Sequence, residues 1–474
     1  MDIAIVGASG AGAFAALLLA RAGHQVLVLE RYRLEPAADV EAAAAAAFRP
    51  MAPQIVQPHI VMARCRELLR DRLPDVYRDL LAAGVVEAPL ASQMPPTLVD
   101  RAARPGDERL SVLMTRRSTF DWVLQRALQA EPGVTVRGGV RALGLLAAAG
   151  NPPCVTGVRT DQGDVPADLV VDASGRRSAI DGWLAGIGAR PTATWRAECG
   201  VDYFSRHYRL RPAATLPGPA TTRIVAGLDE FLVGIWGADN GVMQLAVGPL
   251  ATDHRFRTIK DPMVFAAVLR TVPTFAAWLE ALDPISDVFP MGAVHNTLRR
   301  LVVDGVPVAL GLHAIGDAVC TTNPTLGRGL SLALWGAADL VDILSAHSGD
   351  GTAQALAIDA RVATHVAPFY EDQAAIDGSR LAAMRHTILG EPAPAPPPDR
   401  SDRVTYAELR SAARFDPVAF RAFWRIMGMI GLPDEIYGDP ATVAATRAAR
   451  QRHGDPPPMS QPTRAQLLAA LSGS

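Results

Sequence analysis

The sequence predicts an α/β protein in which a Rossmann-like parallel sheet carries an inserted antiparallel-sheet domain and precedes a C-terminal helical region. Three patterns among the 474 residues predict this architecture. Residues 2–31 read as strand, glycine-rich turn, helix and strand, residues 190–300 alternate with a period of two, and the chain after about residue 350 has helical spacing. A hydrophobic fraction of 49% is enough to bury the core of such a molecule.

Residues 2–31 give the clearest order of elements. The unbroken apolar run Asp2–Val6 predicts a strand buried on both faces, and Gly23 ends the helix predicted over 10–22. A strand at 25–29 completes the unit, and parallel strands joined in this way place a ligand at their carboxyl ends. Further strands are predicted at 110–114 and 168–171, and the parallel sheet is predicted to resume at 306–310. Helices are predicted within 59–83 and at 118–130, 178–186 and 326–344.

The middle of the chain alternates between apolar and polar residues, which predicts a separate antiparallel sheet. Its strands are predicted at 200–209, 221–226, 231–236, 242–247 and 288–299, its helices within 262–282, and a further small antiparallel set at 134–136, 141–146 and 155–159. The predicted domains are a parallel-sheet domain (1–95, 105–188 and 300–350), an antiparallel-sheet substrate domain (96–104 and 189–299) and a helical region (351–474) with a stiff Pro-rich linker at 391–399.

The charge composition narrows the class of function. The net charge is −2 and there are no basic runs, so we expect no nucleic-acid partner. Of 46 lysines and arginines, Lys260 is the single lysine, and any lysine-dependent mechanism must use it.

Cysteine spacing and hydropathy predict where the protein functions. Cys65, Cys154, Cys199 and Cys320 form no CxxC pair, so we expect no metal site and a reduced, cytoplasmic setting. The sequence has no uninterrupted run of about 18 apolar residues, so we expect no transmembrane segment.

The turn Gly7-Ala-Ser-Gly-Ala-Gly12 follows the first strand and begins the first helix. Glycines at its first and third fingerprint positions permit a tight turn and a close helix–strand contact, and Ser9 replaces the second glycine. Backbone N–H groups of the turn and the helix N-terminus can hold a pyrophosphate. Glu30 ends the second strand, where its carboxylate can accept hydrogen bonds from both hydroxyls of an unphosphorylated ribose. This pattern favours FAD or NAD over NADP.

A second site lies at residues 315–330, IGDAVCTTNPTLGRGL, where an apolar strand leads through a glycine-rich loop into a helix. Asp317 can accept a hydrogen bond from a ribityl hydroxyl. The N–H groups of the helix start can point at the pyrimidine edge of a flavin, where the reduced ring is negatively charged. The two sites together favour FAD, and the parallel sheet is then a Rossmann-like FAD-binding sheet of the glutathione-reductase type.

The chain resembles the FAD-dependent monooxygenases of the p-hydroxybenzoate hydroxylase-like superfamily, and most closely the polyether epoxidase and styrene-monooxygenase-like subgroup. The resemblance covers about residues 1–345. Besides both loops above, it includes 49–69 (RPMAPQIVQPHIVMARCRELL), Arg116-Arg117, 167–178 (ADLVVDASGRRS) and 203–208 (YFSRHY).

The resemblance implies roles for individual residues. Arg117 would contact the flavin chain, Val140 would pack near adenine, Asp317 would bind the ribityl chain, and Gly327, Gly329 and Leu330 would border the isoalloxazine. The predicted cofactor-binding residues are Gly7, Ser9, Ala11, Gly12, Glu30, Arg31, Gln54, Arg117, Val140, Gly316, Asp317, Pro324, Gly327, Gly329 and Leu330.

The sequence departs from the related patterns at three places. Gln57 stands where the subgroup usually has the first of two histidines, although His59 is present, and Ser9 replaces a glycine. Asp172-Ala-Ser-Gly175 stands in place of the Asp-Gly dipeptide that single-component hydroxylases use near NAD(P)H. We therefore expect a separate flavin reductase to supply the electrons.

The activity that the resemblance implies is insertion of one oxygen atom from O2 into an apolar or aromatic small molecule. It would proceed through a flavin C4a-hydroperoxide, by epoxidation or hydroxylation, in secondary metabolism. His59 and Arg206 are the candidate catalytic residues. A flavin halogenase shares the fold, but it needs a lysine, and no lysine lies near the first flavin loop. The WxWxIP signature of halogenases is also absent. A cyclase that uses FAD without redox chemistry and a flavin-dependent double-bond reductase remain alternatives.

Overall fold

The computed structural model describes residues 1–49, 52–395 and 400–473. In this part of the chain the strands, in chain order, are β1 (Asp2–Val6), β2 (Gln25–Glu30), β3 (Ile60–Val61), β4 (Val86–Ala88), β5 (Val112–Met114), β6 (Val134–Gly138), β7 (Ala142–Ala148), β8 (Cys154–Thr160), β9 (Gly163–Pro166), β10 (Leu169–Asp172), β11 (Ala193–Glu198), β12 (Tyr203–Leu210), β13 (Arg223–Gly227), β14 (Phe231–Gly237), β15 (Val242–Pro249), β16 (Leu282–Pro284), β17 (Phe289–Met291), β18 (His295–Arg300), β19 (Val302–Val303), β20 (Val306–Pro307), β21 (Leu312–Ala314) and β22 (Cys320–Thr321).

The α-helices of the same described residues cover the faces of the sheets and form the C-terminal region. They are α1 (Gly10–Arg21), α2 (Val40–Ala45), α3 (Ala63–Arg72), α4 (Pro74–Ala82), α5 (Arg117–Ala130), α6 (Ile180–Gly186), α7 (Pro262–Arg270), α8 (Pro273–Glu280), α9 (Gly329–Ala346), α10 (Gly351–Arg361), α11 (Ala367–Leu389), α12 (Tyr406–Ala412), α13 (Pro417–Gly428), α14 (Pro433–Tyr437), α15 (Pro440–His453) and α16 (Arg464–Ser472).

A five-stranded parallel sheet with the order β21–β10–β1–β2–β6 forms the centre of the molecule. Ile3, Ile5, Val26 and Val171 face α1, α5 and α9 on one side of the sheet. The other side packs against α6 and the antiparallel strands β7, β8 and β9. Both faces of the central strands β1 and β10 are covered, which is why these two strands are almost continuously apolar. The predicted Rossmann-like sheet is confirmed.

Two predictions of strand pairing were wrong. Residues 134–136 belong to β6, which pairs in parallel with β2 rather than with the antiparallel set. The last strand of the sheet is β21, not 306–310, because β20 turns back on β19 after Asp304 and Gly305, both at positive φ. A short apolar run predicts a strand but not the strand with which it pairs, and the strands that pair here are far apart in sequence.

The antiparallel sheet of the middle region is also confirmed. Its order is β13–β14–β15–β12–β16, with β17 on the free part of β12. Helices α7, α8 and α16 pack on one face of it, around Tyr208, Phe231 and Phe265. The pattern over 288–299 divides into β17 and β18, and β18 joins a separate three-stranded sheet with β11 and β22.

The C-terminal helices pack against the rest of the chain. Phe420, Trp424 and Ile426 of α13 form a core with Met62 and Leu326, close to the second predicted loop. The segment 96–104 has no strand, and Leu98 packs in this same core. Residues 391–395 of the Pro-rich linker have no helix or strand, and residues 396–399 of it lie outside the described residues. The domain boundaries stay a prediction.

Helix α9 passes the length and composition test for a membrane span, with a mean hydropathy of 1.4 over 18 residues. Its buried share is 56%, and it packs on α1 in the interior. A buried core helix passes the same test, so α9 is weak evidence for a membrane span.

A buried ion pair joins the start of α5, which packs on the parallel sheet, to the antiparallel sheet. Arg116, which precedes α5, is 1% exposed, and Asp239, in the turn between β14 and β15, is 0% exposed. Nε and an Nη of Arg116 donate to one Asp239 oxygen at 3.0 and 2.7 Å, and Thr119 donates to it at 2.8 Å. Glu41 of α2 accepts from the other side of the guanidinium at 2.8 Å. The pair fixes where the middle sheet sits.

We expect Asp239→Asn to lower the free energy of unfolding by about 3–5 kcal/mol, because it leaves the Arg116 charge buried without a full counter-charge. Asp342→Asn, which removes half of an exposed pair with Arg72, is the matched control and should cost about 0–1 kcal/mol. Urea unfolding followed by circular dichroism measures both. Equal losses for the two variants would contradict the assignment.

Candidate functional site

The β1–α1 turn brings two backbone segments unusually close. Gly7 has a φ of +106°, and a Cβ on it would lie 2.5 Å from the carbonyl oxygen of Ala173. A Cβ on Gly12 would lie 1.8 Å from the carbonyl oxygen of Gly7. Only glycine fits at either position, so the free N–H groups at the start of α1 stay open toward the sheet edge.

A buried cation faces this helix start. Ser9 precedes α1 and makes no side-chain cap, but its hydroxyl accepts from an Nη of Arg117 at 3.2 Å. That nitrogen lies 3.0 Å from where a Cβ on Gly10 would be. Asp121 holds Arg117 Nε at 2.7 Å and fixes its direction. Helix dipole and guanidinium together favour an anionic group such as a pyrophosphate.

Glu30 marks the carboxyl end of β2. Its two oxygens accept from the N–H groups of Ala8 and Tyr32 at 2.9 and 3.0 Å, which orients the carboxylate and leaves lone pairs for ribose hydroxyls. Val140 is buried beside it, with its N–H donating to the Glu30 carbonyl at 2.9 Å, and Arg31 is exposed next to it.

The second loop meets the first across the sheet edge. Gly316 has a φ of +59°, and a Cβ on it would lie 2.6 Å from that of Ala11. A Leu330 methyl lies 3.1 Å from the Cβ position of Gly10. Segments separated by about 300 residues in sequence therefore form one continuous wall along the first turn of α1.

Asp317 lies in this wall without a hydrogen-bond partner for its carboxylate among the described residues. Burial raises its pKa, and the charges of Arg117 and Arg176 oppose that rise. Arg176, on the loop after β10, has a buried Nε with no partner. Sequence reasoning missed Arg176, although its position after a strand of the parallel sheet was a usable signal.

These features fit FAD. The α1 N-terminus with Arg117 suits a pyrophosphate, Glu30 suits the adenosine ribose, and the unpartnered Asp317 carboxylate suits a ribityl hydroxyl. Gly327 has a φ of +70°, and a Cβ on it would lie 3.3 Å from the Met62 side chain. Gly329 is the first residue of α9. Pro324 is exposed.

Residues 53–60 connect this wall to the antiparallel sheet. The Ile60 carbonyl oxygen lies 3.8 Å from the Cβ position of Gly327. At the other end, Gln57 Nε2 donates to the Phe289 carbonyl at 3.0 Å, and its Oε1 is buried without a partner. Gln54 Oε1 is likewise buried and unpartnered.

His59 lies between these ends. Its N–H donates to Gln244 of β15 at 3.2 Å, and its Nδ1 is 2.9 Å from the Gln57 carbonyl oxygen. Burial, reinforced by the charge of Arg117, lowers the His59 pKa to about 3, so the ring is neutral at physiological pH.

The structure brings His207, not Arg206, to this segment. His207 is buried against the edge of Phe289, at 6.1 Å between ring centroids, and its Nε2 has no partner. Burial lowers its pKa to about 4. Arg206 lies on the opposite face of β12, where its Nε donates to the Ser286 carbonyl at 2.8 Å and its guanidinium lies over Tyr208. A one-residue step along a strand changes the face.

Comparisons with known proteins agree with this geometry. Residues 1–40 match the FAD binding domain family. The chain is 26% identical over 356 residues to the protein Rv3254 of Mycobacterium tuberculosis, covering 69% of each chain. It is similar in structure to PqsL of Pseudomonas aeruginosa, a probable FAD-dependent monooxygenase, with a TM-score of 0.58 and 16% identity over 83% of this chain and 100% of that one.

The flavin-dependent brominase Bmp2 is also similar, with a TM-score of 0.62 and 16% identity over 96% of this chain and 99% of the brominase. At these identities the likeness is one of fold. The fold is that of the p-hydroxybenzoate hydroxylase-like flavoproteins, and the cofactor is FAD.

We expect Gly12→Ala to weaken FAD binding by at least about tenfold, or about 1.4 kcal/mol, because the added Cβ forces α1 away from β1. Gly182→Ala in α6 is the control, since its Cβ would meet no atom within 4 Å. Titration of each apoprotein with FAD, followed by flavin fluorescence, measures the dissociation constant. Parent-like binding by Gly12→Ala would contradict the predicted pyrophosphate site.

Stability should fall as the pH falls from about 6.5 toward 4. The pKa of His207 and of His313 is lowered by burial to about 4, whereas unfolded histidine titrates near 6.5. Between these values the unfolded chain binds protons that the folded chain does not. Each histidine then costs about 1.4 kcal/mol of the free energy of unfolding per pH unit.

Urea unfolding across this pH range measures the slope. His207→Asn should flatten it, whereas His254→Asn, at an exposed position, should leave it unchanged. A slope that His207→Asn does not alter would show that His207 is already charged in the folded protein.

Proposed function

We propose that this chain is an FAD-dependent monooxygenase that transfers one oxygen atom from O2 to an apolar or aromatic small molecule. The observation that carries the proposal is the path of residues 53–60, which run from the Gly327 loop to β15 and β17. A substrate held against this segment would lie between the cofactor loops and the antiparallel sheet. The fold shared with PqsL supports the same activity.

Reduced FAD, when bound, supplies the electron pair that activates O2 for transfer of one atom to the substrate and release of the other as water. The task of this chain is to hold the cofactor and keep bulk water away. Arg117 and Arg176 balance its negative charges, and Asp317 accepts from the ribityl chain. Our proposal keeps the whole cofactor-binding set predicted from the sequence and adds Arg176 to it.

The substrate side of the site is neutral. His59 and His207 both have pKa values well below 6.5 because they are buried, so neither brings a positive charge or donates a proton from an imidazolium. The backbone carbonyl of Val56 is a hydrogen-bond partner of the His207 ring. The Nε2 atom of that ring has no partner and is free to accept a hydrogen bond from a substrate. We assign substrate positioning to His59 and His207, and no catalytic role to Arg206.

Within this class we propose an enzyme similar to polyether epoxidases and styrene monooxygenases, served by a separate reductase. The loop Asp172-Ala-Ser-Gly175 supports this, because the buried Asp172 carboxylate is occupied by hydrogen bonds from Ser174 and Ser178. Anaerobic mixing with NADPH should leave the bound FAD oxidised until a reductase is added. Rapid bleaching by NADPH alone would exclude the two-component form.

Halogenation is a weaker candidate despite the fold shared with Bmp2. Lys260 is exposed and precedes α7, which packs on the face of the antiparallel sheet opposite His207. It therefore lies away from the segment 53–60.

The four free cysteines, of which Cys65, Cys199 and Cys320 are buried, are consistent with a proposed cytoplasmic location.

Labelled oxygen tests the activity. The holoenzyme, a flavin reductase, NADPH and ¹⁸O2 are incubated with styrene or with indole, and mass spectrometry follows the label. We expect one ¹⁸O in the product, and reduced incorporation by His59→Ala with FAD still bound. Oxygen consumption without labelled product would contradict a monooxygenase. A cyclised or reduced product without label would favour the cyclase or the double-bond reductase.

A further inference from the structure

Arg328 ties the second cofactor loop to helix α11, outside the parallel sheet. It stands between Gly327 and Gly329, yet its side chain is 0% exposed and points away from that wall. One Nη donates to the Phe369 carbonyl at 2.9 Å, and the other donates to Asp372 of α11. Tyr437 of α14 donates to the second Asp372 oxygen at 2.9 Å. Both hydrogen-bond partners of the Arg328 guanidinium therefore belong to α11.

A second buried link starts at the other end of the same loop. The Asn323 N–H donates to Asn296 Oδ1 at 2.7 Å, and Asn296 Nδ2 donates to Asp377 of α11 at 2.7 Å. Gln373, one turn earlier on α11, donates to the Thr325 hydroxyl at 3.2 Å. Asn296, Asn323, Gln373 and Asp377 are all 0% exposed.

We infer that α11 is a positioning element of the FAD site and that Asp372 and Asp377 are positioning residues. They hold residues 323–329 in the shape that receives the isoalloxazine, although neither carboxylate touches that wall. A loop with glycines at 327 and 329 has many conformations when free, and ordering it would weaken FAD binding. Two anchors at its ends remove that cost in advance. The inference rests on the proposed assignment of this loop to the FAD site.

The charge of Asp372 should also influence the midpoint potential of the bound flavin. Asp372 is the carboxylate that compensates Arg328, which lies next to the start of α9. Removing that negative charge leaves a buried positive charge near a ring that becomes negative on reduction. The flavin midpoint potential should therefore rise in Asp372→Asn. A substitution that only destabilises the fold would not move the potential in a set direction.

The test compares Asp372→Asn with three other variants as FAD-loaded proteins and as apoproteins. We expect Asp372→Asn to bind FAD about tenfold more weakly and to have a raised midpoint potential. Asp372→Glu, which keeps the charge, should restore the parent potential. Arg385→Gln breaks the exposed pair that α11 makes with Glu198 and should behave like the parent in both measurements. A folded Asp372→Asn with parent-like affinity and potential overturns the inference.

Tyr437→Phe keeps the inference testable if Asp372→Asn does not fold. It removes one hydrogen bond to Asp372 and no charge, so we expect FAD to bind at least about threefold more weakly at an unchanged potential. Parent-like affinity in Tyr437→Phe would then overturn the inference. These measurements need FAD binding but no oxygen transfer, so absence of labelled product would contradict the proposed function and leave this result standing.

Discussion

The buried pair between Arg116 and Asp239 joins the antiparallel sheet to helix α5, which covers one face of the parallel sheet. Removing two charges from water costs several kcal/mol for each ion, so both must be fully paired wherever the sheets meet. Asp239 also accepts from Thr119, and Arg116 also donates to Glu41, so each charged group has more than one partner. The next residue, Arg117, points the other way, to Ser9 in the cofactor turn. Two successive arginines therefore contact the antiparallel sheet and the β1–α1 turn.

Arginine is suited to these connections because its planar group donates in several fixed directions and stays charged when buried. Arg328 uses this property to bind a carbonyl and a carboxylate of α11 at once. Lysine presents a single flexible ammonium and loses its charge more readily in an apolar setting. The near-absence of lysine thus has a structural counterpart in the long-range links that arginine forms here.

The candidate site combines two electrostatic environments, one positively charged and one neutral. Around the turn after β1, Arg117, Arg176 and a helix start provide positive potential for an anionic cofactor. The rings of His59 and of His207, on the neighbouring strand β12, are neutral, because burial holds their pKa values far below the physiological range. The proposed apolar substrate and the charged cofactor would then lie side by side without competing for the same groups.

The sequence by itself determined the features that depend on neighbouring residues: the unit β1–α1–β2, the alternating strands of the middle sheet and the glycine-rich start of α9. Hydrophobic periods and glycines act within a few residues, so they are legible in one stretch of chain. The pairing of β6 with β2, the face of β12 that carries His207, and the anchoring of Arg328 by Asp372 were decided only by tertiary structure. Those outcomes depend on distant partners, and a shift of one residue reverses a face, which no local pattern specifies.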